Sequence, residues 1–395
     1  MIQAYIENVK PGQVLGRSLY SAGGDLLLAA GYRLDPKLIQ RLRGLGYSAV
    51  WIQEEGTEQV IPEELINEQL ALQTNKALRE SAEIVKQVAQ IKGETKEEID
   101  RVIKDTDRFK NIIVVEKIKN VIDDILNNLL SQQDIMINVN SIRGKDDYLY
   151  QHNLDVTLMS VILANRLNLT RAEVMELAVG AILHDFGMVL IPDAIQKKGK
   201  RLTFQEFVIL KEHTTYGYNI LRENPRISPV SVHVAYQHHE RQDGGGFPRG
   251  LKGNNELPSI KKLNLQPGCM HRYAEIVAVA DAYDTLISPI NHMDAKSPDE
   301  ALRILIRGAG TQLNKFVVDA LVTMTPSFPV GAFVSIIAGP KTLLGAKGVV
   351  VKNNPANLER PDILVLFNKD NRRVHPFTIN TAAEQSIKIQ FIMRN

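Results

Sequence analysis

The stretch Glu173-Val-Met-Glu-Leu-Ala-Val-Gly-Ala-Ile-Leu-His-Asp-Phe-Gly187 decides what the central part of this chain folds into. Its apolar residues recur at the spacing of one helical face, which predicts a buried amphipathic helix. Gly187 stands where a helix-ending glycine is expected, just past the polar pair His184-Asp185. An imidazole and a carboxylate at a buried helix end can bind one divalent cation, or two neighbouring cations. Taken alone, the pair fits a hydrogen-bonded core histidine beside a solvated aspartate better than a metal site.

Further side chains of the metal-ligand type follow over about 130 residues of the chain. They lie in or beside apolar, helix-patterned segments, where an unpaired imidazole or carboxylate would be costly to bury. Five of the nine histidines belong to this set, whose members are His152, His184, Asp185, His213, His238, His239 and Asp281. On spacing alone, two interpretations stay open: two metal ions that share a bridging carboxylate, or a scatter of core histidines.

The segment His238-His-Glu-Arg-Gln-Asp-Gly-Gly-Gly-Phe-Pro-Arg-Gly250 resembles the signature HHExxDGxGYPxG of the HD-GYP branch of the HD phosphohydrolase superfamily. The other ligand-type residues stand around it in the order of that family, so the resemblance covers roughly residues 135–325. It implies an all-helical, metal-dependent phosphodiesterase domain that cleaves cyclic di-GMP with two or three iron or manganese ions.

The resemblance also implies roles for individual residues, carried over by position. All seven ligand-type residues would bind metal, Asp185 would bridge the ions, and Asp185 and His184 would be the catalytic pair. Candidate substrate contacts in the signature loop are Gly246, Phe247 and Pro248. Arg241, Arg249 and Lys211, to which the resemblance assigns no role, are candidate cations for the substrate phosphates, with solvated surface as the alternative.

The sequence departs from the family pattern at four positions. Met188 replaces the Lys of HDxGK and Ile290 replaces an Arg, and both of those cations would face substrate phosphates in the family. Phe247 keeps the ring of the signature Tyr and loses its hydroxyl group. Tyr148 stands where a member with three metals would carry Glu, so we expect two ions. Because a charge-assisted contact is worth about 1.5–3 kcal/mol, losing two of them puts turnover of the usual substrate in doubt.

Composition sets broad limits on the protein class. Hydrophobic residues make up 44% of the 395 residues and charged residues 23%, which is ordinary for a globular protein. The net charge of +2 gives no reason to expect a nucleic-acid polymer as partner. The one cysteine, Cys269, excludes an internal disulfide framework. The start of the chain does not resemble a signal peptide, and no apolar run reaches the roughly 18 residues of a membrane span, so we predict a cytoplasmic protein.

Changes in residue composition and hydrophobic pattern divide the chain into four predicted parts. Residues 1–60 form a small α+β module, with a capped helix at 35–44 and a strand at 46–52. Residues 61–134 form a helical linker or bundle, which we expect to pack within the chain rather than as a dimer stalk. Residues 135–325 form the HD-GYP-like domain. Residues 326–395 carry four β-rich runs, at 330–337, 348–351, 363–367 and 387–392. They are typical of a small barrel or sandwich, which packs on the helices or holds a partner.

Three local patterns give finer predictions. Thr95 is a candidate helix cap with Glu98 three residues on, and Thr203 caps a helix with Glu206 completing the box. The alternation of valines at 230–234 permits a strand, whereas the family resemblance favours a helix, and we predict a helix. The Gly244-Gly-Gly246 turn frees the backbone for close approach to a ligand.

These expectations combine into one hypothesis and two alternatives. The fold class is multidomain and mainly α, with an all-helical HD-type domain between an N-terminal α+β module and a C-terminal β-rich module. The function is metal-dependent hydrolysis of cyclic di-GMP to linear pGpG, and further to GMP, in bacterial second-messenger signalling. Because of Met188 and Ile290, a cyclic-dinucleotide sensor without turnover and a hydrolase for another phosphoester remain open. A homodimer and signalling-protein partners also remain open.

Overall fold

The computed structural model describes residues 1–21, 25–47, 49–62, 64–89, 96–104, 109, 115–130, 135–137, 148–196, 198, 201–259, 268–288 and 295–392. Helices form the middle of the chain and strands its two ends. The helices are α1 Pro36–Gly44, α2 Glu68–Ala89, α3 Lys96–Lys104, α4 Val115–Leu130, α5 Tyr148–Arg166, α6 Arg171–Ile182, α7 Asp193–Gln196, α8 Phe204–Lys211, α9 His213–Leu221, α10 Pro229–Gln237, α11 Arg272–Ile287, α12 Pro298–Gly308 and α13 Lys315–Val322, with a 3₁₀ helix at Phe186–Leu190. The strands are β1 Ile2–Tyr5, β2 Val14–Leu15, β3 Leu19–Tyr20, β4 Leu26–Leu28, β5 Ala49–Gln53, β6 Phe333–Ala338, β7 Lys347–Lys352, β8 Asp362–Phe367, β9 Arg373–Asn380 and β10 Lys388–Phe391.

The N-terminal part combines short strands with one helix, as predicted. Strand β5 lies between β1 and β2 and pairs with both in antiparallel register, while β3 and β4 form a separate hairpin. Helix α1 begins after Asp35, whose carboxylate accepts the backbone N–H of Leu38 at 2.7 Å. This cap satisfies one of the N–H groups that a helix start leaves without an intrahelical partner.

The helices from α2 to α13 share one hydrophobic core. Helices α2 and α4 contribute buried residues such as Leu78, Val85 and Ile125 to the same cluster as the residues of α5 and α6. The described residues of this segment therefore pack against the rest of the helical core. The proposed cap Thr95 lies outside the described residues.

Two sequence-based helix predictions in the central part are correct. Thr203 and Glu206 form a reciprocal capping box at the start of α8. The valine-rich segment at 230–234 lies in helix α10, which begins after the capping residue Ser228. Burial of Val232 and Val234 in the common core explains why helical packing prevails over the β propensity of valine.

The end of α6 differs from the prediction. The helix stops at Ile182 and the chain continues through His184 and Asp185 into the 3₁₀ helix. Gly187 lies inside that 3₁₀ helix and does not have the positive φ of a helix-ending glycine. It is required for another reason, because a Cβ at this position would overlap the backbone of α9 at His213 and Gly217.

The C-terminal strands form one antiparallel sheet in the order β10-β6-β7-β8-β9. Four of the five strands match predicted β-rich runs. Strand β9 was missed because Arg372, Arg373 and Pro376 give this segment the composition of a turn. Strands β9 and β10 are the edges of the sheet and do not pair with each other in the described residues, so hydrogen bonds do not close it into a barrel there.

The two faces of this sheet bury different sets of residues. Leu364 and Leu366 of β8 pack in the core of the N-terminal part, beside Ile2 and Ile52. The alternating residues Ile363 and Val365 pack in a second core formed by the C-terminal part itself. The β-rich end therefore packs against the N-terminal module. Among the described helices, none combines the length and the apolar character needed to cross a membrane.

Candidate metal centre

Five segments of the helical core bring the seven ligand-type side chains together. Helix α5 carries His152, and the segment between α6 and the 3₁₀ helix carries His184 and Asp185. Helix α9 begins at His213, the pair His238-His239 follows the last residue of α10, and α11 carries Asp281. Burial of the helical faces around them fixes the segments relative to one another, so residues up to 129 positions apart meet at one point.

The carboxylate of Asp185 lies at the centre of the cluster. Its Oδ1 atom lies 3.2 Å from Nε2 of His213 and 3.4 Å from Nε2 of His238. Its Oδ2 atom lies 3.8 Å from Nε2 of both His152 and His184. Each oxygen atom therefore faces a different pair of imidazoles.

Two groups with the geometry of metal ligands share this carboxylate. One consists of Asp185 with His213, His238 and His239, and the other of Asp185 with His152 and His184. In each group the ligand atoms lie within 4.8 Å of one another. Asp281 adjoins the cluster, with its carboxylate oxygens 3.3 Å from Nε2 of His152 and 3.9 Å from Nδ1 of His239.

Backbone carbonyl groups determine which nitrogen atom of three imidazoles carries hydrogen. The Nδ1 atom of His184 lies 2.7 Å from the carbonyl oxygen of Ala181, and Nδ1 of His213 lies 2.7 Å from that of Leu210. The Nδ1 atom of His238 lies 3.1 Å from the carbonyl oxygen of Ala235. A carbonyl oxygen can only accept, so each Nδ1 must donate, and Nε2 of each neutral ring carries a lone pair.

This tautomer sets lone pairs against lone pairs at the centre of the cluster. Nε2 of His213 and Nε2 of His238 lie 3.3 Å apart, and both face the carboxylate of Asp185. Nε2 of His184 is buried and has no hydrogen-bond partner among the described residues. Bare acceptors that face one another in a buried site are unfavourable unless a cation or a proton lies between them. The donor set of imidazole nitrogens and carboxylate oxygens fits a first-row divalent metal ion.

Protonation equilibria in the cluster support the same assignment. Burial lowers the pKa of His184 to about 4, which keeps its ring neutral near pH 7. Burial also lowers the pKa of His239 well below its usual value. For Asp185, burial acts to raise the pKa, but the neighbouring imidazoles of His184, His213 and His238 outweigh it and hold the pKa well below the usual range. The ionised carboxylate and the neutral rings of His184 and His239 are in the charge state that a divalent cation requires. Burial acts to lower the pKa of His213, but its hydrogen bond with Asp185 outweighs it and raises the pKa, so a metal ion would displace a proton at this ring.

His152 is oriented by a second carboxylate behind it. Its Nδ1 atom lies 2.6 Å from Oδ2 of Asp284, which is fully buried. Burial acts to lower the pKa of His152, but hydrogen bonds with Asp281 and Asp284 outweigh it and raise the pKa to about 10. A carboxylate that accepts the outer N–H of a histidine fixes the ring and strengthens its basicity toward a metal. The sequence contained a signal for this residue, because Asp284 follows Asp281 by three positions on the same face of α11.

Comparison with known proteins agrees with this geometry. A family model described as an HD domain matches residues 136–315. Residues 136–315 belong to the HD domain family. Apart from the four departures named above, the motifs of this HD domain follow those of the HD-GYP branch, and the family resemblance seen in the sequence is confirmed.

Several proteins of known name are similar to part of this chain. A cyclic di-GMP phosphodiesterase of Pseudomonas aeruginosa is 28% identical over 248 residues, which is 63% of this chain and 55% of that protein. A cyclic di-GMP phosphodiesterase of Thermotoga maritima is 36% identical over 181 residues, 46% of this chain and 45% of that protein. A 3′3′-cGAMP-specific phosphodiesterase of Vibrio cholerae is 27% identical over 214 residues, 54% of this chain and 37% of that protein. The chain thus spans about half the length, or less, of these relatives.

The loop after the histidine pair forms one rim of the site in the HD domain. The buried carboxylate of Glu240 accepts the backbone N–H groups of Arg249 at 2.7 Å and Leu251 at 2.8 Å, which ties the loop to the end of α10. Gly246 lies so close to the backbone of residues 239–241 that a Cβ would overlap it. The sequence predicted that this turn approaches a ligand, whereas the close contact of Gly246 is with the backbone of the chain itself. Glu240 was not among the predicted functional residues, although it belongs to the quoted motif.

The aromatic residue of the motif contacts the histidines directly. The ring of Phe247 stacks on the ring of His239 with centroids 4.7 Å apart and meets the ring of His213 edge-on at 6.4 Å. The backbone N–H of Phe247 donates to the carbonyl oxygen of His239 at 3.2 Å. Pro248 follows it at the exposed side of the loop.

The three predicted substrate-binding cations have different surroundings. The guanidinium group of Arg241 pairs with Asp243 at 2.6 Å, so its charge is already neutralised. Arg249 is exposed on the loop. The ammonium group of Lys211 lies 5.6 Å from the centre of the Phe247 ring, next to the histidines.

Besides Phe247, two other departures from the family pattern lie within the described residues. Met188 lies in the 3₁₀ helix, partly buried against the hydrophobic core. The ring of Tyr148 stacks on that of His152 with centroids 5.6 Å apart. Ile290 lies outside the described residues.

Proposed function

We propose that the HD domain is a metal-dependent phosphodiesterase that opens cyclic di-GMP to linear pGpG and cleaves this product further to GMP. The observation that carries the proposal is the central carboxylate of Asp185, whose two oxygens face two separate sets of imidazoles. Within the described residues, the buried Nε2 atom of His184 has no hydrogen-bond partner, and Nε2 of His213 and Nε2 of His238 lie 3.3 Å apart beside this carboxylate.

In this proposal two divalent ions, iron or manganese, occupy the cluster. His152 and His184 would hold one ion and His213, His238 and His239 the other, with Asp281 completing the set. Asp185 would bridge them, because each of its oxygens faces one group. When bound, such ions polarise a phosphate oxygen and lower the pKa of a water molecule that attacks phosphorus.

The residues of the chain have separate tasks in the reaction. Asp185 and the carbonyl-bound imidazoles form a pre-oriented donor set that does not need to rearrange when substrate binds. Asp284 holds the ring of His152. Glu240 fixes the loop that carries Phe247, so that this ring forms a wall of the site. We also propose that Gly246, Phe247 and Pro248 contact the substrate.

The choice of cyclic di-GMP rests on the names of relatives that match the HD domain. Two of the relatives described above are named cyclic di-GMP phosphodiesterases, whereas a third is named for 3′3′-cGAMP. These substrates are all cyclic purine dinucleotides with two phosphodiester bonds. The proposed substrate class is therefore narrower than phosphodiesters in general.

A second candidate is a cyclic-dinucleotide sensor that binds without turnover. The observation that favours it is Met188, an uncharged side chain packed against the core where the family resemblance implies a phosphate-binding Lys. Loss of that cation weakens phosphate binding and stabilisation of the charge that develops in the transition state.

Turnover by metal-loaded protein separates these candidates. Full-length protein is purified without oxygen, its iron and manganese are quantified, and cyclic di-GMP and its products are followed by chromatography, with Asp185→Ala as control. We expect about two metal ions per chain and linear product that disappears in the variant. Two ions per chain without product would favour the sensor. Protein that binds neither metal would contradict both candidates.

A further inference from the structure

One face of helix α8, beside the metal centre, has an unusual combination of side chains. Phe204, Phe207 and Lys211 recur at intervals of three and four residues, so they lie on one side of the helix. The side chains of Phe204 and Phe207 are 81% and 46% exposed. Large aromatic side chains are normally buried, so two of them exposed in succession indicate a binding surface.

The C-terminal end of this face reaches the candidate ligands. The carbonyl oxygen of Leu210 accepts the Nδ1–H of the His213 ring, so the last turn of α8 is fixed against the candidate metal centre. The ammonium group of Lys211 lies 5.3 Å from the centre of the Phe207 ring and 5.6 Å from that of Phe247. Phe247 in turn stacks on His239. A series of contacts therefore runs from the exposed ring of Phe207 through Lys211 and Phe247 to the candidate ligand His239.

Unlike Lys198 and Arg241, Lys211 has no carboxylate partner among the described residues. Lys198 pairs with Glu206 at 2.5 Å and Arg241 pairs with Asp243 at 2.6 Å. Lys211 forms no ion pair with a carboxylate in the parts of the chain that the structure describes, and its contacts there are to aromatic rings. An ammonium group held by two ring faces keeps its charge available for an anion.

We infer that the face of α8 formed by Phe204, Phe207 and Lys211 binds the part of a cyclic dinucleotide that projects from the metal centre, with Lys211 contacting a phosphate and Phe207 stacking on a base. This inference rests on the proposed function and identifies the cation that acts in place of the family Lys at Met188. Phe207 precedes Lys211 by about 6 Å along the helix axis, and Phe204 by about 10 Å. A base attached near a phosphate at Lys211 can thus reach Phe207, since every base presents a π-face to an aromatic ring.

Steady-state kinetics with cyclic di-GMP test the inference on the full-length, metal-loaded protein. Lys211→Met keeps the aliphatic stem over the rings and removes the charge, so KM should rise roughly 10- to 100-fold, the factor expected for one lost charge-assisted contact. Phe207→Leu should raise KM roughly 5- to 100-fold through lost stacking. In Phe207→Leu, kcat should stay within a few-fold of the wild-type value. In Lys211→Met, kcat should also fall, because the lost charge would act on the phosphate in place of the family Lys. The metal content should be unchanged in both variants. Lys211→Arg should restore most of the affinity.

Two controls separate binding from general effects on the surface. Lys198→Met removes a Lys that is already paired, and Phe377→Leu removes a ring that is exposed to a similar extent, 41%, on β9. Both should behave as wild type. The KM of the wild type should also rise with salt concentration, and this dependence should be weaker in Lys211→Met, which a purely structural role of Lys211 would not produce.

The possible outcomes distinguish this inference from the proposed function. If the wild type cleaves cyclic di-GMP and both α8 variants match it in KM, the inference is wrong and the proposed function stands. If the wild type binds cyclic di-GMP without cleaving it, calorimetry measures the affinity of the same variants for this ligand. Weaker binding by the variants would support the inference for a sensor, and equal binding would contradict it. If the wild type neither cleaves nor binds, both are wrong. Unchanged KM with altered sedimentation of Phe207→Leu would assign the aromatic face to a protein contact and overturn the inference.

Discussion

At the scale of single residues, the carboxylate behind His152 is the most informative side chain that sequence reasoning missed. Asp284 is fully buried and lies 2.6 Å from Nδ1 of His152, while the other nitrogen of that ring faces Asp281 and Asp185. A buried carboxylate in this position fixes both the tautomer and the direction of the ring. We therefore expect that loss of this carboxylate weakens metal binding more than it destabilises the fold.

Asp284→Asn should weaken metal binding about 10- to 100-fold, because an amide oxygen accepts the imidazole N–H less strongly than a carboxylate. Metal affinity is measured by competition with a chelator of known affinity, together with the thermal unfolding temperature. Asp319→Asn, which changes an exposed carboxylate of α13, serves as control and should bind metal as the wild type does. Equal metal affinity in both variants would show that Asp284 does not orient a ligand.

A second residue-scale prediction concerns the pH dependence of stability. Burial raises the pKa of Glu275 from 4.5 to about 7, although the side chains of Gln242 and Asn314 donate to it. The folded protein thus binds this proton more tightly than the unfolded chain does between those pH values. The contribution of Glu275 to the free energy of unfolding should fall by about 3 kcal/mol as pH rises from 5 to 8.

Glu275→Gln removes the titrating group and therefore this part of the pH dependence. Denaturant unfolding of wild type and variant is followed by circular dichroism at pH 5, 6.5 and 8. The difference in free energy of unfolding between the two proteins is then compared across the three pH values. Glu300→Gln, at an exposed position of α12, provides the reference. A difference that does not change with pH would mean that Glu275 titrates normally in the folded protein.

At the scale of elements, the metal centre depends on how closely the 3₁₀ helix approaches α9. Gly187 contacts the backbone of α9 at His213 and Gly217, and this contact sets Asp185 beside His213. The sequence pattern predicted that Gly187 ends a helix, and this prediction was wrong, because Gly187 is needed for close contact with α9. Helix-ending glycines and close-contact glycines have the same sequence signal, and only the position of α9 distinguishes them.

Gly187→Ala should separate these two elements, because the added Cβ overlaps backbone atoms that no side-chain rotation can move away. We expect a loss of about 1–3 kcal/mol in stability and a loss of bound metal, measured by thermal unfolding and metal analysis. Gly44→Ala provides a matched control, because a Cβ there meets no atom within 4 Å at the end of α1. Full metal content in Gly187→Ala would contradict the role assigned to this contact.

The elements show how far sequence alone could lead. Periodicity and capping pairs such as Thr203 with Glu206 predicted helices correctly, because these signals are local. The seven ligand-type residues were found because buried polar groups need partners, and the structure brings them together; their binding of metal stays a prediction. Strand β9 was missed because its charged residues and Pro376 have the composition of a turn, although the edge position of this strand beside β8 tolerates a proline. The roles proposed for Asp284 and Lys211 depend on contacts with His152 and Phe247, which are distant in the sequence.

At the scale of the whole molecule, the two ends of the chain share a core. Leu366 of β8 packs with Ile2 and Ile52, whereas the neighbouring Val365 faces the separate C-terminal core. Arg373 of β9 adds an ion pair with Glu54 at 3.2 Å. The boundaries predicted at residues 60 and 326 therefore separate segments of sequence that depend on each other for burial.

This shared core makes the N-terminal module sensitive to substitutions some 300 residues away in the chain. Leu366→Ala leaves a cavity between the two ends and should lower stability by about 2–4 kcal/mol. Hydrogen exchange followed by mass spectrometry should then show faster exchange in β1 and β5, with α5 and α11 unchanged, because local opening follows the packing unit that has lost contacts. Val365→Ala removes a neighbouring side chain from the opposite face and should accelerate exchange in β6 and β7 without reaching β1. Exchange that rises equally in β1 for both variants would show that the two faces of the sheet do not act as separate cores.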